Sequence, residues 1–382
     1  MIVKGRLTGL IVAACLQASP IHAGTETQAW VTPQRPLADE ASSRSDQGDR
    51  EANARVARMW FKAEWQIYAS TFVTQDGRVV DNANGNVSHS EGQGYGLLLA
   101  ALAGDSDRFD KIWRWTETHM MVRPDHLLSW RWDPQKGAIT DTNNATDGDI
   151  LVAWALAQAA QKFNRPDYRV TAAVIAGAIG ANLIKNSDHG LILLPAAQGF
   201  SHDDQPDGPV VNLSYWVFPA FSTLKDLAPA YDWEALHANG LKLLNVGRFG
   251  PLRLPPDWLS LGGQTPAPAQ KFPSQFGYNA IRIPLYLAWD SAPQARHALS
   301  GFVNLWRGPR SAGPYVIDVN SGSAEQILDG AGYRLALALA RCVSLDSPID
   351  EQVIKSRDPL YYPDTLRMLS LAAIQERLPQ CF

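Results

Sequence analysis

From about residue 51 to the C-terminus, apolar residues recur at three- and four-residue spacing, and this period restricts the fold more than any other feature. "EANARVARMWFKAEWQIYASTF" shows it with Val56, Met59, Trp60 and Ala63. Comparable stretches follow at about 92–104, 106–120, 147–163, 167–186, 214–228, 232–246, 279–290, 293–307, 324–343 and 361–377, which makes about eleven helices. Breakers separate them: "NRPD" at 164–167, "RFGPLRLPPD" at 248–257, "QTPAPAQKFPSQFG" at 264–277 and "RDPLYYPD" at 357–364. Alternating, strand-like patterns are short, the best being "LILLP" at 191–195 and "YVIDV" at 315–319. There is no βαβ rhythm, which argues against a Rossmann or TIM architecture. Helices in hairpin-like pairs, with no break in composition, predict one all-α domain over 51–382. Pairs closing into a barrel would gather the long loops on one face, where binding residues sit when a rigid scaffold holds them.

The chain before that domain reads differently. Lys4 and Arg6, the apolar run Leu7–Leu16 and "IHA" ending at Ala23 have the layout of a secretory signal over 1–23. The run is too short to span a bilayer, so no membrane insertion is expected after signal removal. "VAAC" at 12–15 also fits a lipoprotein site with Cys15 as the lipidated residue. Residues 24–50, rich in Ser, Thr, Gln, Asp and Pro, read as a mobile leader. A net charge of −4 without any basic run argues against nucleic acid as a partner. With no CxxC and no HExxH, and eight scattered His, neither a metal nor another cofactor is expected. Cys342 and Cys381 fit either one bridge in an oxidising compartment or two buried thiols.

Two acids stand where polar approaches turn into apolar helices. In "VSHSEGQGYGLLLAA", Glu91 would sit in a first helical turn with Ser90 as its cap. Gly92 and Gly94 are poor helix formers, and glycines here suggest that a ligand approaches the backbone closely. Gln93 and Tyr95 add an amide and a ring with a polar tip, so the stretch reads as the edge of a site. In "TDTNNATDGDILVAWALAQAAQKF", Asp147 and Asp149 precede a second apolar run, with Thr146 or Asp147 as the expected cap. A pair of separated acids suits general acid–base work on a glycosidic bond. The thirteen Trp are many for 382 residues. Trp130 and Trp132 in "LLSWRWDP" would share a face if extended, and at least one suits sugar stacking. In "VVNLSYWVFPAF", Ser214 is a candidate cap and Tyr215 and Trp216 open a helix. Asn279 and Arg282 of "SQFGYNAIRIPLYLAW" lie three apart and share a helical face.

Taken in order, "SEGQGYG", "WRWDP", "ATDGD", "NLSYW" and "FGYNAIRIPLYLAW" resemble glycoside hydrolase family 8, most closely the endo-β-1,4-glucanases associated with bacterial cellulose synthesis. The resemblance runs from about 55 to 378, and Val152, Ala157 and Phe163 depart from the signature helix. It implies an (α/α)6 barrel with a cleft across one end, an inverting mechanism, β-1,4-glucan as partner and a functional association with cellulose-synthesis machinery. Glu91 is similar to the family's general acid, which must stay protonated at neutral pH. Asp147 resembles the residue that holds and distorts the sugar, Tyr215 a hydroxyl at the same subsite, and Trp130 a stacking ring. Tyr95 and Arg282 are further candidates for substrate binding. At Asn279 most cellulases of the family carry the Asp that acts as general base, and an Asn cannot take a proton from water. Asp203, Asp204, Asp207, Asp257 and, through a water, Asp147 are the replacements that the sequence offers. The expected function is an exported endo-glucanase. The alternatives are a glucan-binding protein on a retired scaffold, favoured by Asn279, and a hydrolase of lichenan, chitosan or xylan.

Overall fold

The computed structural model describes residues 37–302, 305 and 314–382. The signal segment with Cys15, the leader as far as 36 and most of the last turn expected for 293–307 lie outside the described residues. Residues 47–382 form one compact unit.

Twelve α-helices are present among the described residues. They are α1 (Leu37–Phe72), α2 (Ser90–Ala103), α3 (Ser106–His119), α4 (Thr146–Lys162), α5 (Pro166–Leu183), α6 (Phe221–Leu227), α7 (Trp233–Val246), α8 (Arg282–Trp289), α9 (Pro293–Ser300), α10 (Ala331–Leu345), α11 (Glu351–Lys355) and α12 (Tyr361–Arg377). Their faces alternate along the chain. On α2 every residue but Glu91 is buried, all of α8 is buried, and α4 and α12 are buried on nearly every side. Helices apolar all round belong inside. On α3 and α5, by contrast, one stripe is buried, for example Tyr168, Ala172, Ile175, Ile179 and Leu183. The buried helices form a ring. α2 packs on α4, α4 on α6, α8 on the turn before α6 and on α10, α10 on α12, and α12 on α2. Of the outer helices, α3, α5, α7, α9 and α11 each pack on the inner helix before them. α1 meets α12 through a Tyr68–Thr365 hydrogen bond of 2.8 Å and the Glu64–Arg367 ion pair of 3.0 Å. Six inner and six outer helices make an (α/α)6 barrel.

Connection lengths decide where a site can form. An inner helix passes to its outer neighbour through short links such as 104–105, 163–165 and 290–292. The returns, 73–89, 120–145, 184–220 and 247–281, are long. They carry short strands: β1 (Ser88–His89), β2 (Arg131–Asp133), β3 (Ala138–Asp141), β4 (Ile184–Ser187), β5 (Gly190–Leu193), β6 (Val210–Val211), β7 (Leu259–Ser260), β8 (Ala267–Pro268) and β9 (Gln275–Phe276). Two more, β10 (Tyr315–Asp318) and β11 (Ala324–Ile327), precede α10. The sheet orders are β1-β2-β3, β4-β5, β6-β7-β8 and β11-β10-β9, all antiparallel. Each long return delivers the chain to the N-terminus of an inner helix, so those N-termini and the loops share one end of the barrel.

Several sequence expectations change. α1 starts at Leu37, not near 51. The stretch 214–228 is not one helix: it breaks into turns at Leu213–Tyr215 and Phe218–Ala220 before α6. Pro219 lacks an N–H and disfavours the helical conformation at Phe218. In 324–343 the first residues pair with β10 as β11, because a neighbouring edge supplies hydrogen bonds that helical spacing cannot foresee. Residues 184–186 likewise leave α5 to pair with β5. Cys342 and Cys381 form a disulfide across 39 residues, a loop worth about 4 kcal/mol in the chain-entropy picture.

The glycines of α2 serve packing, not a ligand. A Cβ on Gly94 would lie 2.6 Å from Leu151 Cβ on α4. One on Gly148 would lie 2.2 Å from Ser90 Oγ, and one on Gly92 would lie 2.8 Å from the Tyr361 hydroxyl on α12. Three inner helices therefore meet at backbone distance. Gly94→Ala and Gly148→Ala should each lower the unfolding free energy by ~1–3 kcal/mol through overpacking. Gly177→Ala on α5, where a Cβ meets nothing within 4 Å, should raise it by ~0.5–1 kcal/mol. Urea unfolding of the three variants checks both signs.

Candidate active site

Glu91 is the second residue of α2, and the residue that caps this helix is not Ser90. His89 is the N-cap, and its Nδ1 accepts from the Gly92 N–H at 3.0 Å. Ser90 lies inside the first turn, pressed against Gly148, with its hydroxyl unpartnered among the described residues. On α4 the cap position is Ala145, without a side-chain bond. Thr146 instead donates to the Leu194 carbonyl at 2.6 Å, and Asp147 Oδ1 accepts from the Gly148 N–H at 2.9 Å. Asp149 ties down the Trp130 loop, accepting from the Leu128 N–H and from Asn144 Nδ2, both at 2.8 Å. Ser214 is not a cap either. Asn212 Oδ1 accepts from its N–H and its hydroxyl, which leaves the Ser214 oxygen to accept another donor.

That donor is Arg282, the first residue of α8, 2% exposed. Its Nη1 donates to Glu91 Oε1, to Asp147 Oδ2 at 2.8 Å and to the Tyr95 hydroxyl at 3.2 Å. Its Nη2 donates to Ser214 Oγ at 2.9 Å and to Asn279 Oδ1 at 3.0 Å. Its guanidinium also lies 5.4 Å from the centre of the Tyr215 ring. The three-residue spacing of Asn279 and Arg282 thus does bring them together. Tyr95, placed by sequence at the substrate, lies behind Glu91 and is fully buried. It donates to Glu91 Oε1 at 3.0 Å and shares a 2.8 Å hydrogen bond with the Tyr286 hydroxyl. Arg282 is likewise a buried organiser that shows only an edge to the cavity. Glu91 Oε1 is therefore occupied twice, while Oε2 has no donor among the described residues and lies 3.7 Å from His89 Nδ1.

Burial sets the electrostatics. It raises the Asp147 carboxyl above the usual range, Asp149 adds to this, and the Arg282 contact pulls the other way. It pushes Asp149 up to about 7, raises Asp257, and holds the Tyr95 and Tyr215 phenols far above the usual range. Of the loop acids, Asp257 alone reaches the turn that carries Asn279. Its Oδ1 accepts from the Gly277 and Ala280 N–H groups at 3.0 and 2.7 Å, and it is 2% exposed. Asp204 accepts from Ser201 and Gly199, Asp207 from the Gln270 N–H, and Asp203 is exposed. Trp132, half-buried, packs edge-on against Trp115 of the core at 5.3 Å. Trp130 stays half-buried beside Arg131.

A cavity of about 740 Å³ opens at this end of the barrel, lined by Asp81, His89, Glu91, Tyr278, Asn279, Arg282, Gln326, Tyr333 and Tyr362 among others. Asp81, His89 and the tyrosines of α8 and α12 were not singled out from sequence. Tyr286, four residues after Arg282 and so on the same helical face, was open to that reasoning; Tyr362, which meets the site only through folding, was not.

Residues 51–376 match the profile of "Glycosyl hydrolases family 8". The chain is 38% identical over 317 residues to a "Probable endoglucanase" of Novacetimonas hansenii, covering 82% of this chain and 90% of the relative. It is 36% identical over 236 residues to an "Endoglucanase" of Cellulomonas uda, covering 61% of this chain and 65% of that one. The solved structure of an endo-beta-1,4-glucanase from Acetobacter xylinum superposes with a TM-score of 0.73 at 36% identity, covering 82% of this chain and 97% of that one.

The Asp149 shift has a consequence for stability. Between roughly pH 4 and 7 the folded protein holds a proton on Asp149 that the unfolded chain has lost. This contribution is complete below the unfolded value and disappears as pH rises through the folded one. Unfolding free energy should therefore fall across this window, by up to ~4 kcal/mol from this group. Asp149→Asn should flatten the slope, whatever its offset at any single pH. Urea titrations from pH 4 to 8 measure it.

Proposed function

This chain belongs to glycosyl hydrolase family 8, and from that premise we propose that it cleaves β-1,4-glucan internally, with inversion, using Glu91 as general acid. The observation that carries the reading is the division of labour between the two oxygens of Glu91. Oε1 is fixed by Arg282 and Tyr95, and Oε2 has no donor among the described residues and faces a cavity at the loop end of the barrel. A proton on Oε2 passes to the glycosidic oxygen as the bond from C1 breaks, and water adds to C1 from the opposite face. Asp147 and Tyr215 hold the sugar at the cleavage point, and Trp130 stacks on a neighbouring ring. Asp147 is a poor partner base. It and Glu91 touch the same Arg282 nitrogen, so their nearest oxygens lie closer than the ~6.5–9.5 Å an inverting pair keeps.

Asn279 bears on the second reading, a glucan-binding protein with little turnover. Its Oδ1 already accepts from Arg282 and its amide donates to the buried Asp257 carboxylate, so it takes no proton from water. Water activation then rests on another group, and slow turnover follows if none serves. Export after loss of 1–23, and action beside cellulose-synthesis machinery, belong to the same proposal. The buried disulfide supports an oxidising compartment, and no described helix is long and apolar enough to cross a membrane.

Reducing ends released from carboxymethylcellulose test the reading. The native chain should be active, and Glu91→Gln should lose roughly 10²–10⁴-fold in rate, the usual contribution of a general acid. Asn279→Asp distinguishes the alternative. If the native chain and Glu91→Gln are equally inert while Asn279→Asp is active, the protein is a binder on an enzyme scaffold. NMR of the first-formed anomer should show the α product.

A further inference from the structure

The free oxygen of Glu91 has one nearest polar neighbour that the mechanism above does not use, His89. The ring lies between two carboxylates that line the same cavity. Nδ1 is 3.7 Å from Glu91 Oε2 and Nε2 is 3.6 Å from Asp81 Oδ2. The three side chains are 14, 18 and 13% exposed for His89, Glu91 and Asp81, so all are within reach of solvent and of a bound chain. The tautomer follows from the cap. Nδ1 accepts from the Gly92 N–H, so it carries no proton, and the ring proton sits on Nε2, toward Asp81. The backbone of His89 is held by the β1–β2 pairing opposite Arg131, and its ring meets the edge of Tyr361 at 5.7 Å. The titratable groups facing it are thus Asp81 from the preceding loop, Glu91 from α2 and Tyr361 from α12, with Arg282 beyond Glu91.

We propose that His89, oriented by Asp81, is a positioning residue for proton donation by Glu91. This rests on the general-acid reading of Glu91. The neutral ring, its Nδ1 lone pair held by the Gly92 N–H, lies beside Oε2 without donating to it, which leaves that oxygen to carry its proton toward the cavity. A protonated ring does the reverse. Its Nδ1–H releases the Gly92 cap and donates to Oε2, which binds the carboxylate form and blocks delivery of a proton. Asp81 acts on the neutral ring, where it keeps the proton on Nε2.

The test compares two substrates over pH 4.5–8. Carboxymethylcellulose needs a protonated leaving group, and β-cellobiosyl fluoride does not. His89→Thr keeps an oxygen to cap the Gly92 N–H and removes the ring. The ratio of glucan to fluoride activity should fall about tenfold in His89→Thr, a fraction of a general acid's full effect. Its acidic limb on the glucan should move to lower pH. In Asp81→Asn, which keeps the ring but removes its orienting carboxylate, the ratio should fall by less. Equal losses on both substrates, or an acidic limb in His89→Thr that coincides with the native one, overturn the proposal and leave His89 a helix cap. Glu91→Gln run alongside separates the two readings: if it keeps full glucan activity, the acid assignment itself is wrong.

Discussion

One guanidinium organises the loop end of the barrel. Arg282 is nearly inaccessible, yet it bonds residues of α2, α4, the turn at 213–215 and the turn before its own α8. Burying a cation is expensive unless its donors are satisfied, and Glu91, Asp147, Ser214 and Asn279 accept from its two terminal nitrogens. The dependence runs both ways. Without Arg282 two acids would face each other in a dry site, and without them the cation would be stranded. Glu91 owes its orientation, with one oxygen held and one left open, to this centre.

The centre can form because three inner helices approach one another at backbone distance. Gly94 and Gly148 let α2 meet α4, and Gly92 leaves room for Tyr361 of α12. Parallel inner helices then present their N-termini together, where acidic side chains are favoured by the helix dipole. Glu91 and Asp147 both sit in such first turns. The long returns add what the helices lack: the Trp130 loop anchored by Asp149, and the 277–280 turn anchored by Asp257.

Legibility followed the range of the interaction. Helical periodicity is local, so α2, α4, α7 and α12 were readable to within a residue or two, and the spacing of Asn279 and Arg282 predicted their contact. Capping was read less well, since Ser90 and Ser214 are good caps in isolation. His89 and Asn212 took those places once β1 had paired with β2 and Arg282 had claimed the Ser214 hydroxyl. Trp130 and Trp132 have like sequence neighbours and are both half-buried, and only folding sets Trp132 against Trp115 on α3.

By itself the sequence determined the helix count within about one, the all-α class and the two acids at helix starts. All of these depend on residue type and on neighbours a few positions away. Tertiary structure decided which oxygen of Glu91 is free, that Tyr95 supports the acid from behind, that the glycines admit helices, and that Cys342 and Cys381 are joined. Apart from Tyr95, a helical neighbour of Glu91, those outcomes depend on groups far apart in sequence, as Glu91 and Arg282 are at 191. Only closure of the barrel sets their distances.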